Sequence, residues 1–166
     1  MDTAAILTEL PRLRRYARAM VGDRAAADDL VQDTLERAWS RFAQWRPGSD
    51  LRAWLFGIMH NLRVDQLRRP GVKTLPMDDE EFEVPTRATQ TDRLEVIDLE
   101  SALARLPEEQ RAVVLLVALE EMSYDEVAST LDIPMGTVMS RLSRGRERLR
   151  LILEGRQPVT NLRVVR

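Results

Sequence analysis

The stretch SYDEVASTLDIPMGTVMSRL, from Ser123 to Leu142, decides the fold of the C-terminal part of this chain. It opens with a capping box, because Ser123 and Glu126 have the spacing at which each side chain can bond the other residue's backbone N–H. Apolar residues then repeat at helical spacing, and the run Asp132-Ile133-Pro134 turns the chain. A short helix, a tight turn and a longer Arg-rich helix together predict a helix-turn-helix.

The second helix of this motif has residues suited to DNA. Backbone N–H groups and a hydroxyl at its start can bind a phosphate, and side chains one turn later can meet base edges in the major groove. A two-helix corner with a solvated basic face remains the alternative for the motif taken alone. The candidate contacts are Gly136, Thr137, Ser140, Arg141, Ser143, Arg144 and Arg148.

The N-terminal part predicts three further helices. Apolar residues recur three and four apart from Ile6 to Met20, from Ala27 to Phe42 and from Leu51 to Leu62. Gly22 is expected to end the first helix and Asp23 to cap the second. A loop over Arg46–Asp50 separates the second helix from the third, and Ser49 or Asp50 can cap the third helix.

The second of these helices has one acidic face, and such faces are usually only solvated. The aromatic residues Trp39, Phe42, Trp45 and Trp54 are more typical of a core than of a base-stacking surface, although Trp45 falls outside the apolar stripe. The acidic-face residues are Asp28, Asp29, Gln32, Asp33 and Glu36.

Helical periodicity disappears between Pro70 and Thr91, where acidic residues dominate, and this composition predicts a flexible linker. The expected organisation is a first helical domain over 1–70, a linker over 71–93, a second helical domain over 94–155 and a tail over 156–166. Residues 1–69 hold 12 basic and 9 acidic residues, residues 70–98 hold 3 and 8, and residues 99–166 hold 10 of each. Because counterion release needs clustered basic residues, a chain of net charge −2 should need a partner to bind DNA.

The composition excludes several classes of protein. The 166 residues contain no Cys and one His, His60, so neither a disulfide framework nor a zinc site is expected. No arrangement of nucleophile, base and orienting group indicates an enzyme, and no cofactor is expected. The scarcity of alternating β-branched residues predicts an all-α fold. We expect no signal peptide and no membrane insertion, which fits a cytoplasmic protein.

Three segments resemble, in order, the extracytoplasmic-function (ECF) sigma factors of the sigma-70 family. Residues 27–39 are similar to the polymerase-binding segment of sigma domain two. Arg52-Ala-Trp-Leu-Phe56, followed by Asn61 and Asp65, is similar to the promoter-melting segment. Residues 106–111, 123–128 and 133–142 are similar to sigma domain four. The opening block and the Arg46-Pro47-Gly48 loop are also similar to a general-stress subgroup.

The resemblance implies a sigma factor that binds core RNA polymerase and recognises and opens promoters. It implies that the acidic face docks on the β′ clamp helices, that the second domain meets the β flap and the minus-thirty-five element, and that an anti-sigma factor holds the chain inactive. The family often has Lys or Arg where Met139 stands, which affects the expected minus-thirty-five preference. The implied minus-ten contacts are Arg46, Ser49, Asp50, Trp54, Asn61, Arg63, Arg68 and Arg69.

Two other functions compete with this interpretation. A stand-alone helix-turn-helix regulator would need a basic surface or a dimerisation element of its own, and neither is evident. A structural or adaptor helical protein would bind partners without directing transcription. A gel shift with and without core polymerase separates the first from a sigma factor, and in-vitro transcription separates the second.

Overall fold

The computed structural model describes residues 3–69 and 99–155, and this part of the chain consists of helices and turns without strands. The predicted all-α class is therefore confirmed there, while the whole of the predicted linker and tail lies outside the described residues. The helices are α1 (Thr3–Val21), α2 (Arg24–Ser40), a single 3-10 turn (Phe42–Gln44), α3 (Leu51–Leu67), α4 (Leu99–Ala104), α5 (Glu108–Ala118), α6 (Tyr124–Leu131) and α7 (Met135–Leu153).

The helix ends follow the local signals in the sequence. Gly22 adopts a left-handed φ of 87° after α1, and the Asp23 carboxylate then accepts a hydrogen bond from the Ala26 backbone N–H at 2.8 Å. Asp50, rather than Ser49, caps α3, since its Oδ1 accepts from the Ala53 N–H at 3.2 Å. Pro107 is the residue immediately before α5.

The first half of the molecule is a bundle of α1, α2 and α3. A two-residue turn folds α2 back on α1, and α3 packs against both. Leu13, Leu30, Leu55 and Met59 are fully buried between them, and the ring of Tyr16 meets that of Phe56 edge to face at 5.1 Å.

The second half contains α4 to α7, with α6 and α7 forming the predicted helix-turn-helix. Both reciprocal bonds of the capping box at Ser123 are present, at 2.8 and 3.1 Å. Asp132 ends α6 in the left-handed region, with φ 58°, and Pro134 precedes α7. The helix-turn-helix is therefore confirmed. Val127 of α6 and Val138 of α7 are fully buried on its inner side.

The two halves pack against each other, which differs from the expectation of two independent domains. Helix α1 contacts α4 and α5, and α3 contacts α6. The Arg111 guanidinium of α5 donates to the Met20 carbonyl of α1 at 2.6 Å. The buried apolar residues of both halves belong to one continuous cluster. Periodicity identifies each buried stripe but not the element that covers it, so this contact could not be read from the sequence.

Candidate functional site

The acidic face of α2 is an exposed surface. Each of its five residues is exposed, while the apolar stripe of the same helix is buried. Trp39 lies on this face with 56% of its surface exposed, so the expectation that it belongs to the core is wrong. At 100° per residue, Trp39 falls between Asp28 and Gln32 on the helix wheel rather than over the core. A large aromatic residue exposed amid charges is typical of a protein-binding anchor.

A groove between α1 and α2 adjoins this face, and the sequence analysis missed it. Its apolar lining comes from Leu10, Val31 and Leu35, and three arginines line it as well. One of these arginines, Arg18, lies 3.9 Å from the Asp28 carboxylate of the acidic face, and both side chains are about half exposed. The spacing of Arg14 and Arg18, four apart on α1, is a sequence signal for one basic edge. The three arginines are Arg14, Arg18 and Arg24.

The loop before α3 is exposed, as a nucleic-acid contact requires. Arg46, Ser49 and Asp50 are all accessible. The Ser49 hydroxyl donates to the Arg46 carbonyl at 2.7 Å, and the Asp50 carboxylate is engaged as the cap of α3. The Ser49 and Asp50 side chains therefore stabilise the loop. Arg46 places an exposed positive charge on it.

Three aromatic rings lie beneath this loop. Phe42, Trp45 and Trp54 have centroid separations of 5.4, 6.2 and 6.4 Å, and all three are partly buried. The core prediction is therefore correct only in part. The indole Nε1 of Trp45 is buried without a hydrogen-bond partner, which leaves a donor at the base of the loop.

The remaining minus-ten candidates lie along α3 and just beyond it. Asn61, Arg68 and Arg69 are exposed. Arg63 is instead partly buried, because its Nε donates to Glu108 of α5 at 2.8 Å and its Nη2 donates to the other carboxylate oxygen at 3.3 Å. In this arrangement the guanidinium of Arg63 is occupied by the other half of the molecule.

The helix-turn-helix presents most of the minus-thirty-five candidates. Gly136, Ser140, Ser143 and Arg144 are exposed on α7, and Thr137 and Arg141 are partly buried. The helix begins at Met135, one residue earlier than predicted. Met139 is 50% exposed on the same helix, so a thioether stands where a donor was expected from the resemblance.

Arg148 does not belong to this surface, and its assignment as a DNA contact is corrected. Only 6% of the residue is exposed. The helical period places it beside the buried face of α7, which includes Val138, Leu142 and Gly145. The arginine content of α7 predicted a uniformly exposed basic face, but side-chain identity alone does not reveal which arginine lies at the edge of the core.

Two basic groups, one partly buried and one buried, have pKa values lowered by their surroundings. Burial lowers the pKa of His60, which lies within electrostatic range of the Glu108 carboxylate and the Arg141 guanidinium. Burial also lowers the pKa of Arg111, and the neighbouring Glu108 carboxylate opposes this effect. Over residues 3–69 and 99–155, no group of three or more His, Asp or Glu side chains is placed to hold a metal ion.

This arrangement is that of a helical protein with a helix-turn-helix and a separate exposed acidic face, and comparison with known proteins identifies its family. The family model for the Sigma2 domain of PhyR matches residues 6–60, and that for Sigma-70 region 4 matches residues 97–149. The chain is 36% identical to the ECF RNA polymerase sigma factor EcfG of Rhodopseudomonas palustris, over 89% of this chain and 82% of that protein. It is also 36% identical to the ECF sigma factor SigL of Mycobacterium tuberculosis, over 86% and 82%.

A solved structure agrees with these relatives. The sigma factor RpoE, in complex with the anti-sigma factor NepR from Bartonella quintana, matches with a TM-score of 0.73 and 30% identity, over 91% of this chain and 95% of that one. The chain belongs to the ECF sigma factors of the sigma-70 family. It is therefore a regulatory protein that directs RNA polymerase to promoters. Within the described residues, no helix is long and apolar enough to cross a membrane.

Proposed function

We propose that the acidic face of α2, together with Trp39 at its edge, is the surface by which this sigma factor binds the β′ clamp helices of core RNA polymerase. The supporting observation is that a Trp lies exposed at one edge of a face whose charged residues are all accessible. In protein interfaces, a buried aromatic anchor surrounded by polar contacts supplies most of the binding energy. The acidic residues around Trp39 would orient the chain on a basic partner and increase the association rate.

The test is a core-binding assay with charge-reversed variants. Asp29→Lys with Asp33→Lys should abolish binding to core polymerase while circular dichroism shows unchanged helicity, because both side chains are exposed. Trp39→Ala should weaken binding by about 2 kcal/mol or more, as expected for an anchor. Asp125→Lys is the control, since it makes the same charge change as each single substitution, on an exposed residue of α6. Unchanged affinity of the double variant would mean that the face is only solvated.

We also propose that promoter recognition is divided between the two halves. The exposed loop and α3 residues would contact the minus-ten element, where capture of an unstacked base costs a few kcal/mol and is cheapest at easily opened steps. The exposed residues at the start of α7 would contact the minus-thirty-five element in the major groove. Arg148 is excluded from this set because it is buried.

Transcription with reconstituted holoenzyme tests the promoter proposal. A gel shift of promoter DNA should require core polymerase, whereas a shift by the free chain at the same salt concentration would favour a stand-alone regulator. Selection of promoters from a random library should then return two conserved elements, one for each half. A single element would contradict the division of roles.

We propose further that the chain acts in the cytoplasm and takes part in a stress response. Its second half would contact the β flap of the polymerase. An anti-sigma factor would hold the chain inactive. The support for the last point is that the solved relative RpoE is bound to the anti-sigma factor NepR. A pull-down from uninduced cells should recover a partner besides polymerase. Recovery of polymerase subunits alone would argue against an anti-sigma factor.

A further inference from the structure

The contact between the two halves includes a fork of hydrogen bonds that resembles phosphate binding. Arg63 of α3 donates from Nε and Nη2 to the two carboxylate oxygens of Glu108, at 2.8 and 3.3 Å. A guanidinium uses the same two-pronged geometry to bind a phosphate. The side chains are only 19% and 15% exposed, so this pair is largely removed from water.

A second carboxyl-bearing residue, Glu120, joins the halves at another point. Its side chain is fully buried, and Oε2 lies 3.3 Å from Nη2 of Arg15 on α1. Its backbone carbonyl accepts a hydrogen bond from Nη1 of Arg52 on α3 at 2.7 Å. A buried carboxylate requires such a partner, because an unpaired charge in the interior is strongly destabilising. Glu120 therefore makes polar contacts with both α1 and α3.

The backbones of the two halves also approach closely at this interface. A Cβ placed on Gly57 of α3 would lie 3.3 Å from the carbonyl oxygen of Thr130 in α6, so only glycine fits without adjustment. One turn further along α3, His60 lies within electrostatic range of Arg141 on α7. The helix that carries the minus-ten candidates thus lies against the helix-turn-helix that carries the minus-thirty-five candidates.

We propose that this arrangement is a closed state of the free sigma factor, in which the Glu108 carboxylate takes the place of a promoter phosphate at Arg63 and must be displaced before the chain reads DNA. The proposal rests on the promoter recognition proposed above and on the minus-ten contact that the family resemblance implies for Arg63. Elements named for positions ten and thirty-five base pairs upstream are about 25 base pairs apart, or about 85 Å along B-form DNA at about 3.4 Å per pair. A compact chain of this length has a radius of gyration of about 15 Å, so the closed form cannot span both elements.

Fluorescence energy transfer across the interface measures closure directly. The chain has no native Cys, so Ser40→Cys and Ser129→Cys, at exposed positions in different halves, allow specific labelling. Glu108→Gln should lower the transfer efficiency, and Glu109→Gln, on the same first turn of α5, should leave it unchanged. In a double-mutant cycle, Arg63→Gln should add nothing once Glu108 has been neutralised.

A second variant protects the test against misfolding. If Glu108→Gln lowers the melting temperature sharply, Arg15→Gln combined with Glu120→Gln removes the other interdomain ion pair without leaving the buried Glu120 carboxylate unpaired. It too should lower the transfer efficiency. Transfer that remains at the wild-type value in both variants overturns the closed state.

Binding of a short single-stranded minus-ten oligonucleotide to the free, full-length chain tests whether Glu108 masks Arg63. Glu108→Gln should raise the affinity about five- to thirty-fold, the equivalent of 1–2 kcal/mol, and Glu109→Gln should not. An opened Glu108→Gln chain without any gain in DNA affinity overturns the masking. That outcome does not affect the sigma-factor role, which is scored separately by holoenzyme transcription from double-stranded promoters.

Discussion

Replacement of Arg111 by Met should be the most destabilising single change among the charged residues of the interface. Arg111 is 7% exposed, and its guanidinium donates to five oxygens: four backbone carbonyls and the Glu108 carboxylate. Three of these carbonyls belong to residues 103, 104 and 106, at and just after the C-terminal end of α4, where helical carbonyls lack partners of their own. The fourth is that of Met20, in the other half of the molecule.

The magnitude can be worked from these contacts. Methionine fills a similar volume but has no donor, so the four carbonyls lose their partner. At about 1 kcal/mol each, the lower end of the cost of an unsatisfied buried group, the loss is about 4 kcal/mol. Removal of one member of a buried ion pair independently gives about 3–5 kcal/mol. For a protein of this size, about 4 kcal/mol corresponds to a decrease in melting temperature of about 8–16 °C.

Thermal and urea unfolding followed by circular dichroism measure this effect. Arg150→Met is the matched control, because Arg150 also makes two ion pairs, at 2.6 and 3.0 Å, but its side chain is 48% exposed. Exposed pairs contribute little because solvent screens them, so the control should lower the melting temperature by only a few degrees. Equal losses for Arg111→Met and Arg150→Met would refute the argument that burial, rather than the number of contacts, sets the cost.

Three further predictions concern DNA reading, pH and folding. Arg144→Ala should reduce the binding free energy at the cognate minus-thirty-five sequence by about 1–3 kcal/mol and relax the preference at one base pair. Arg141→Ala should instead weaken binding to all sequences alike. Transcription from promoters varied at each position measures both effects. Burial lowers the pKa of His60 in the folded state below 6.5. Between that pKa and 6.5 the unfolded state therefore binds more protons than the folded state, so the free energy of unfolding rises with pH across this window and falls on acidification. His60→Gln should flatten this slope in urea titrations between about pH 5 and 8. Ser123→Ala should lower the unfolding free energy by about 1 kcal/mol through loss of the capping box, and an unchanged urea midpoint would contradict this.

Much of the local structure follows from short-range chemistry that a sequence displays. The Asp23 and Asp50 caps and the Ser123 capping box are confirmed because an N-cap depends on residues only two or three positions away. The exposed acidic face of α2 is confirmed for a similar reason, since a helical period fixes which residues share a face. The roles of the site residues remain predictions, because exposure permits a contact without identifying the partner.

The errors arise where a residue lies at the border of a face. Residue type predicts Trp39 in the core, since tryptophan is apolar, and Arg148 on the surface, since arginine is charged. The structure exposes the first and buries the second. Both side chains are large and amphipathic, so packing around them rather than their polarity decides their position.

The sequence by itself determined the helices, their ends, the helix-turn-helix and, through three ordered motifs, the family. These properties depend on periodicity, capping and motif spacing, all of which are local along the chain. Only the tertiary structure decided that α1 and α3 pack on the second half. The same holds for the hydrogen bonds from Arg63 to the Glu108 carboxylate and from Arg111 to the Met20 carbonyl. These contacts join residues 45 and 91 positions apart. Their formation depends on the complementary shape and charge of two folded surfaces, which no local pattern encodes.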